Sequence, residues 1–160
     1  MMPHHSRPAT PTDASDLARI YNQGIEDRSS TFETRPRTPQ DIETWFDGHP
    51  IVVVEQEGQI IAWASTSTYR TRDCYAGIAE FSVYVGRAKR GTGAGTAAMQ
   101  ALIPAARAAG YWKLLSRVFP ENTASRKLLA SVGFREVGTY EKHAQLDGVW
   151  KNVVIVELVL

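Results

Sequence analysis

Residues 78–96 read IAEFSVYVGRAKRGTGAGT, and this stretch decides the fold that the sequence predicts. Its first part, residues 78–85, is rich in β-branched and aromatic residues, which favours a β-strand. The glycines and basic residues that follow lead into an alanine-rich helical run to about Ala109, where Gly110 is suited to end the helix. A strand, a glycine-rich turn and a long helix in this order are typical of a mixed α/β domain.

The glycine-rich turn has the composition of an anion-binding site. Glycines allow successive backbone N–H groups to converge on an anion at the N-terminus of a helix. Lys89 and Arg90 add positive charge at the same rim. The turn therefore favours a ligand that carries phosphate, and the alternative is a tight strand-to-helix turn that binds nothing.

Three phosphate-binding signatures can be compared with this turn. A Walker P-loop is excluded because Thr92 stands where that loop requires lysine. A dinucleotide fingerprint fits weakly, since it requires an acidic residue about twenty positions later, where the chain has none. The third signature, Arg/Gln-x-x-Gly-x-Gly/Ala, is satisfied by Arg90, Gly93 and Gly95.

The rest of the chain alternates between helix and strand signals. N-cap chemistry predicts one helix that begins near Asp13 and a second that begins at Thr38, where Pro39 suits the first turn and Asp41 can return a hydrogen bond to the cap. Apolar patterning and turn residues predict the other elements. These are a hairpin of residues 51–54 and 60–64, a strand over 111–119, a helix from Asn122 to Gly133, and strands over 134–140 and 152–159.

The composition is that of one globular domain. The chain has 160 residues, 43% of them apolar and 22% charged, and single domains usually have roughly 100–200 residues. The formal net charge of +1 argues against a nucleic acid or an anionic membrane as partner. One cysteine excludes an internal disulfide framework and a multi-cysteine zinc site, and we expect no metal. We expect residues 1–6 to be disordered, residues 7–160 to form the domain, and the chain to be cytoplasmic, because no signal peptide or membrane span is visible.

In this context the sequence resembles the GNAT superfamily of N-acetyltransferases, whose members hold the pyrophosphate of acetyl-CoA on such a turn. The segment from Asn122 to Ser125, followed by Gly133 and Phe134, is similar to a later CoA-contacting segment of that superfamily. The resemblance implies an α/β fold of the α+β type. Its central mixed, mostly antiparallel twisted sheet would have about seven strands, splayed at the acetyl-CoA site, with about four flanking helices.

Within the superfamily, the sequence is most similar to the phosphinothricin acetyltransferase family. The similarity is carried by residues 20–22 (IYN), 30–34 (STFET) and 80–85 (EFSVYV). The longer phrase over residues 21–28 (YNQGIEDR) resembles the arsinothricin branch of that family. The resemblance implies acetylation of the α-amino group of a small acidic amino-acid analogue, which is a detoxification or resistance function, by a homodimer. Phosphinothricin, arsinothricin, methionine sulfoximine and methionine sulfone are the related acceptors.

Glu80 is the candidate general base. The acceptor's amine is mostly protonated near neutral pH, so a carboxylate that removes one proton is the minimum apparatus for direct transfer from acetyl-CoA in a ternary complex. Glu80 interrupts an otherwise apolar strand just before the glycine-rich turn. It also stands where the resembling family has its general base. The alternative is a glutamate at the end of a strand that faces solvent.

The resemblance places the cofactor on three segments of the chain. The strand that contains Val83, Tyr84 and Val85 would receive the pantetheine arm through its backbone, and the amides of Val83 or Val85 could polarise the thioester carbonyl. Asn122 and Ser125 would contact the cofactor, although Asn122 could also act only as a helix cap. The residues of the turn assigned to the pyrophosphate are Arg90, Gly91, Thr92, Gly93, Ala94, Gly95 and Thr96.

The acceptor is expected to bind the strip that precedes the catalytic strand. Guanidinium groups bind carboxylate, phosphinate and arsinate oxygens in a bidentate fork, so Arg70 and Arg72 are candidates, with a solvated charged loop as the alternative. Arg72 and Tyr75 match an Arg-x-x-Tyr pattern of the resembling family. Cys74 is expected to be a small pocket or packing residue. Phe32, from the earlier loop, could wall the pocket or equally be a core anchor. The residues assigned to the acceptor site are Phe32, Arg70, Arg72, Asp73, Cys74 and Tyr75.

Two departures from the family pattern leave roles open. The family often has a histidine before its Gly-x-Trp turn, whereas Asp147 precedes Gly148 here and the nearest histidine is His143. No tyrosine lies within residues 122–132, so the sequence identifies no general acid for the leaving thiolate. The alternative functions are a CoA-binding sensor without catalysis and an acetyltransferase for peptide N-termini or polyamines. The arginines of the acceptor strip argue against polyamines.

Overall fold

The computed structural model describes residues 3–160 of the chain. Over these residues the chain forms seven strands and four α-helices. The strands are β1 (His5–Pro8), β2 (Ile51–Gln56), β3 (Gln59–Thr68), β4 (Ile78–Val85), β5 (Lys113–Val118), β6 (Arg135–Leu146) and β7 (Val149–Val159). The helices are α1 (Ala14–Asp27), α2 (Pro39–Glu43), α3 (Ala94–Ala108) and α4 (Thr123–Ser131).

The strands form one sheet in the order β1-β2-β3-β4-β5-β7-β6. The β4–β5 pair is parallel, and the other neighbouring pairs are antiparallel. The parallel ladder joins Ile78–Glu80 to Lys113–Leu115 and ends there, so β4 and β5 diverge after Glu80. The prediction of a mixed, mostly antiparallel sheet that splays in its centre is confirmed.

Helices cover both faces of the sheet. Helix α3 buries Ala98, Met99 and Leu102 against strand residues such as Phe81. On the opposite face, α1 buries Leu17 and Ile20 around Trp63, whose indole N–H donates to the Leu17 carbonyl (3.2 Å). Successive side chains of a strand point to opposite faces. Glu80, which precedes Phe81, therefore faces the side of α1.

The N-terminal segment is ordered further than the sequence indicated. The expectation that residues 1–6 are disordered is wrong for His5 and Ser6, because β1 pairs with β2 from His5 onward; Met1 and Met2 lie outside the described residues. The prediction that the first helix begins near Asp13 is confirmed, since α1 begins at Ala14 with Asp13 at its N-cap position. The buried Asp13 carboxylate accepts two hydrogen bonds from Arg7 (2.8 and 2.9 Å) and one from the Thr10 amide (2.8 Å). Because Arg7 belongs to β1, this carboxylate ties the first strand to the start of α1.

The second helix confirms its predicted cap, whereas the last two strands are longer than predicted. Thr38 accepts from the Asp41 amide (3.2 Å) and Asp41 accepts from the Thr38 amide (2.9 Å), which is a capping box. Strands β6 and β7 extend to a two-residue turn in which Asp147 (φ +50°) and Gly148 (φ +79°) both adopt positive φ. An Asp-Gly pair favours this type of hairpin turn. The pairing of β6 with β7 is irregular between Tyr140 and Ala144. The strict alternation of apolar and polar residues that would predict the hairpin is therefore interrupted there.

Replacing Asp13 with alanine should lower the free energy of unfolding by about 1–3 kcal/mol, because Arg7 and the Thr10 amide would lose their partner. Hydrogen bonds from Arg7 hold the pKa of Asp13 below its ordinary value. The stabilisation is therefore present at neutral pH and is lost as the pH falls through the folded-state pKa. Urea unfolding at several pH values should show the difference between the two proteins shrinking in acid.

Asp16→Ala is the matched control for this measurement. Asp16 forms an exposed i,i+3 ion pair with Arg19 (3.2 Å), and its loss should change the free energy of unfolding by less than about 0.5 kcal/mol. Equal losses in the two variants would contradict the structural role given to Asp13.

Candidate active site

A cleft of about 520 Å³ opens between the end of β4, the glycine-rich turn and the start of α4. The cleft is lined by the predicted cofactor residues with the exception of Thr92. The Thr92 hydroxyl instead donates to the Lys89 carbonyl (2.6 Å) within the turn. The predicted residues that line the cleft are Val83, Tyr84, Val85, Arg90, Gly91, Gly93, Ala94, Gly95, Thr96, Asn122 and Ser125.

The turn has a backbone shape that glycine makes possible. Gly91 and Gly93 have φ values of +76° and +89°, a region that residues with a Cβ adopt only with strain. Gly95 lies in the first turn of α3, where an added Cβ would lie 2.5 Å from Leu128 Cδ1 and 3.2 Å from Val85 Cγ2. The glycines therefore bring the start of α3 close to β4 and α4. The amide groups of the first turn, which have no acceptor within a helix, are then available to an anion.

Asp27, at the end of α1, fixes the basic rim of the turn. Arg90 Nη1 lies 2.5 Å from Asp27 Oδ2, and Arg87 Nη2 lies 2.9 Å from Asp27 Oδ1. Burial favours a raised pKa for Asp27, but the contacts with Arg90 and Arg87 outweigh it and hold the pKa below its ordinary value. Sequence reasoning missed this residue because only the fold brings the end of α1 to the turn.

Asn122 and Tyr84 each have a structural contact as well as a place in the cleft. Asn122 Oδ1 accepts from the Ser125 amide (3.2 Å) and caps α4, so the interpretation of Asn122 as a helix cap is confirmed, while its contact with a cofactor stays a prediction. The Tyr84 ring packs against Tyr21 and Trp63, with ring centroids 5.0 Å apart in both pairs. Burial raises the pKa of the Tyr84 phenol, which therefore stays protonated.

Glu80 lies where β4 and β5 diverge. Its carboxylate Oε1 accepts a hydrogen bond from Arg117 Nη2 (2.8 Å), and Arg70 Nη1 lies 3.9 Å away. The Glu80 side chain is 23% exposed, so a molecule that enters from solvent can reach it. Sequence reasoning named Arg70 but missed Arg117, a lone basic residue late in β5. The parallel pairing of Glu80 with Leu115, two residues before Arg117, brings it into range.

An apolar wall lies on the same face of the sheet as Glu80. Phe32 meets Phe119 edge to face, with ring centroids 4.9 Å apart, and both pack with Leu115 and Ile155. Phe32 comes from the loop between α1 and α2. Leu115 pairs with Glu80 across the two strands, so the wall lies beside the carboxylate.

The strip after β3 is less enclosed than the sequence suggested. Arg70 stacks on the Tyr69 ring (4.3 Å from its centroid), and Tyr75 meets the same ring edge to face (5.8 Å). Arg72 precedes an exposed single turn formed by Asp73, Cys74 and Tyr75. Cys74 was expected to pack or to line a pocket. Its exposed side chain excludes the packing role, and its place in an acceptor site stays a prediction. Of the residues predicted in this strip, Arg70 lies near Glu80, with its Nη1 3.9 Å from Oε1.

Asp147 and His143, whose roles the sequence left open, each contact another side chain near the last hairpin. Asp147 Oδ2 lies 3.2 Å from Arg28 Nε, so the hairpin tip reaches the end of α1. His143 packs against the Tyr140 ring at 5.2 Å on β6. Neither contact assigns a general acid.

From Pro3 to Leu160, no three or more His, Cys, Asp or Glu side chains are grouped so that they could hold a metal ion. No helix in that part of the chain is long and apolar enough to cross a membrane.

The sequence is similar to characterised acetyltransferases along most of its length. Residues 18–134 match the model of the family described as acetyltransferase (GNAT). The Bacillus subtilis protein YwnH, which is named provisionally as a phosphinothricin acetyltransferase, is 37% identical over 85% of this chain and 86% of its own. An L-methionine sulfoximine/L-methionine sulfone acetyltransferase of Pseudomonas paraeruginosa is 30% identical over 95% of this chain and 92% of its own.

Solved structures share the whole fold. A ribosomal-protein-alanine N-acetyltransferase from Brucella melitensis superposes with a TM-score of 0.93 at 30% identity, covering 98% of this chain and 99% of its own. A phosphinothricin acetyltransferase from Sinorhizobium meliloti, solved in complex with acetyl-CoA, superposes with a TM-score of 0.92 at 25% identity, covering 99% and 89%.

Proposed function

The chain belongs to the acetyltransferase (GNAT) family, and we propose that it acetylates the α-amino group of a small amino-acid analogue whose side chain ends in an acidic or strongly polar tetrahedral group. The observation that carries this proposal is Glu80, a carboxylate held between Arg70 and Arg117 where the sheet splays. Relatives named for phosphinothricin and for methionine sulfoximine and sulfone support the acceptor class. Arsinothricin joins the candidates from the sequence resemblance, and resistance to such compounds is the proposed biological role.

Acetyl-CoA fits the cleft as the acetyl donor. Gly91 and Gly93 adopt positive φ in the turn, and Gly95 allows the start of α3 to pack closely against Leu128 and Val85, so the first turn of α3 borders the cleft. The turn with Arg90 would hold the pyrophosphate, and Asn122 with Ser125 would contact the rest of the cofactor. Strand β4 beyond Glu80 no longer pairs with β5, so its backbone at Val83 and Val85 is available to the pantetheine arm.

Glu80 would act as the general base for direct transfer. When bound, acetyl-CoA supplies the thioester whose acetyl carbon forms the new C–N bond as its C–S bond breaks, so an ammonium and a thioester give an amide, a thiol and one proton. Glu80 takes the proton that the ammonium must lose. The amide of Val83 or Val85 donates a hydrogen bond toward the carbonyl oxygen, where negative charge develops.

The acceptor would lie between the arginines and the apolar wall. Arg70 can bind carboxylate, phosphinate or arsinate oxygens in a fork, and the pair of Phe32 and Phe119 covers the carbon chain. Arg72, Asp73, Cys74 and Tyr75 would border the entrance, because they are exposed.

A peptide N-terminus is the second candidate acceptor. The 30% identity to a ribosomal-protein-alanine N-acetyltransferase favours it. A polyamine suits the site poorly, because the guanidinium groups beside Glu80 would repel a polycation. A CoA-binding sensor would need no carboxylate at this position.

A homodimer is part of the proposal. Four apolar side chains of the β6–β7 hairpin, Val137, Tyr140, Val149 and Trp150, are each about half exposed. Val149 and Trp150 are consecutive in β7 and point to opposite faces, so a second copy of the chain would bury those on the face that it covers. Sedimentation over a range of concentrations measures the oligomeric state directly.

Release of free thiol from acetyl-CoA should be fastest with the amino-acid analogues. The panel consists of phosphinothricin, arsinothricin, methionine sulfoximine and methionine sulfone, set against spermidine and an alanine-terminated peptide. Mass spectrometry of the products would identify the acetylated amine. Turnover of the peptide or spermidine alone would overturn the proposed acceptor class, and tight acetyl-CoA binding without turnover of any acceptor would favour the sensor.

Glu80→Gln should reduce kcat by about 100-fold or more, because the amide cannot take the proton from the acceptor ammonium. Binding of acetyl-CoA, measured by isothermal titration calorimetry, should stay within about twofold of wild type. Glu55→Gln is a suitable control, since it replaces a carboxylate on β2 that contacts Arg7 (2.7 Å). Unimpaired turnover by Glu80→Gln would remove Glu80 from the mechanism.

Gly93→Ala should weaken acetyl-CoA binding by about tenfold, because a Cβ at a φ of +89° strains the turn that presents its amides. Gly48→Ala imposes similar strain at a φ of +103° in a loop away from the cleft. Both variants should lose about 1 kcal/mol of stability. Thermal melts and calorimetric titrations separate the two effects, and equal weakening in both variants would contradict the assignment of the turn.

A further inference from the structure

We propose that Arg117 determines acceptor specificity by exchanging partners: it holds Glu80 in the free enzyme and transfers its hydrogen bonds to the α-carboxylate of the acceptor when the acceptor binds. The inference rests on the proposed function and extends it to a residue with no assigned role. Its consequence is that Glu80 is released to accept a proton when the incoming amine carries a neighbouring anion.

The position of Arg117 places it at the opening between β4 and β5. The parallel pairing ends at Glu80 and Leu115, and Arg117 lies two residues further along β5 on the same face. Its guanidinium reaches across the gap between the two strands and donates a hydrogen bond to Glu80 Oε1 (2.8 Å). Arg117 also lines a small cavity of about 60 Å³ between the diverging strands, together with Ser82, Ser116 and Asn122. One side chain therefore contacts both the proposed base and the gap beside it.

The charge around Glu80 is unbalanced in favour of an anion. Arg70 and Arg117 both approach the same oxygen of Glu80, so two positive charges against one negative charge leave one positive charge in excess. Among the side chains described, the hydrogen bond to Glu80 is the one that the Arg117 guanidinium makes, although a guanidinium has five N–H donors. The Arg117 side chain is 40% exposed and accessible to a ligand.

The exchange frees one acceptor site of the carboxylate. Oε1 accepts from Arg117 in the free enzyme, and transfer of that hydrogen bond to the acceptor leaves Oε1 available, beside Oε2, to the acceptor's ammonium. The α-carboxylate of an amino acid is bonded to the same carbon as its amine, so an amine placed at Glu80 brings a carboxylate to Arg117. Two carboxylate oxygens match the guanidinium fork better than a single shared oxygen. Because solvent screens this partly exposed ion pair, its loss does not strongly oppose the exchange.

The proposal is tested with methionine sulfone and its α-carboxamide. The first carries an α-carboxylate anion, and the second carries a neutral amide in its place. Wild-type turnover of methionine sulfone tests the proposed function itself. Arg117→Ala should lower kcat/KM for the acid by about tenfold or more, mainly through KM, and change kcat/KM for the carboxamide by less than about threefold. Arg117→Lys, which keeps the charge but not the fork, should recover part of the loss for the acid.

Arg135→Ala provides the control. Arg135 forms a comparable cross-strand ion pair with Glu157 (2.7 Å) and lies outside the proposed machinery, so its kinetic constants should match wild type. Equal losses for the acid and the carboxamide in Arg117→Ala would show a structural role and overturn the proposal. An unchanged kcat/KM for the acid would overturn it as well. If Arg117→Ala does not fold, the same comparison is made with Arg117→Lys, whose loss must be confined to the acid.

Discussion

The early end of the ladder between β4 and β5 is the constraint on which the site depends. If β4 and β5 stayed paired past Glu80, the backbone N–H and C=O groups of β4 would be hydrogen-bonded to β5, and the sheet would have no gap there. Divergence leaves that backbone available, opens a gap between the strands and places Glu80 at its apex. The glycine-rich turn then begins where β4 ends, so the strand leads directly from the carboxylate to the anion-binding backbone.

Long-range ion pairs hold the segments that meet around this gap. Asp27 joins the end of α1 to Arg87 and Arg90 beside the turn, and Asp147 joins the β6–β7 hairpin to Arg28. Glu80 itself links β4 to β5 through Arg117. Since each pair connects segments far apart in sequence, the surroundings of the site form only when the whole domain folds.

The sequence predicted what local chemistry determines. The glycine-rich turn, the cap at Thr38 and the strand that carries Glu80 each depend on neighbouring residues, and the structure places them as predicted. The roles of Asp27 and Arg117 depend on strand order and register, which no local pattern reveals. The ion pair of Asp13 with Arg7 depends on the fold in the same way, because the helix start at Asp13 is predicted locally while its partner comes from β1. The exposure of Cys74 shows that residue type alone does not fix burial in a loop.

The loop after α1 joins the two parts of the candidate site. Ser29 and Ser30 line the cleft beside the glycine-rich turn, and Phe32, two residues further on, meets Phe119 in the apolar wall. One short segment therefore contacts both the proposed donor side and the proposed acceptor side. A change in this loop would alter both sides at once, so the evolvability of acceptor choice is constrained by the need to keep the donor in place.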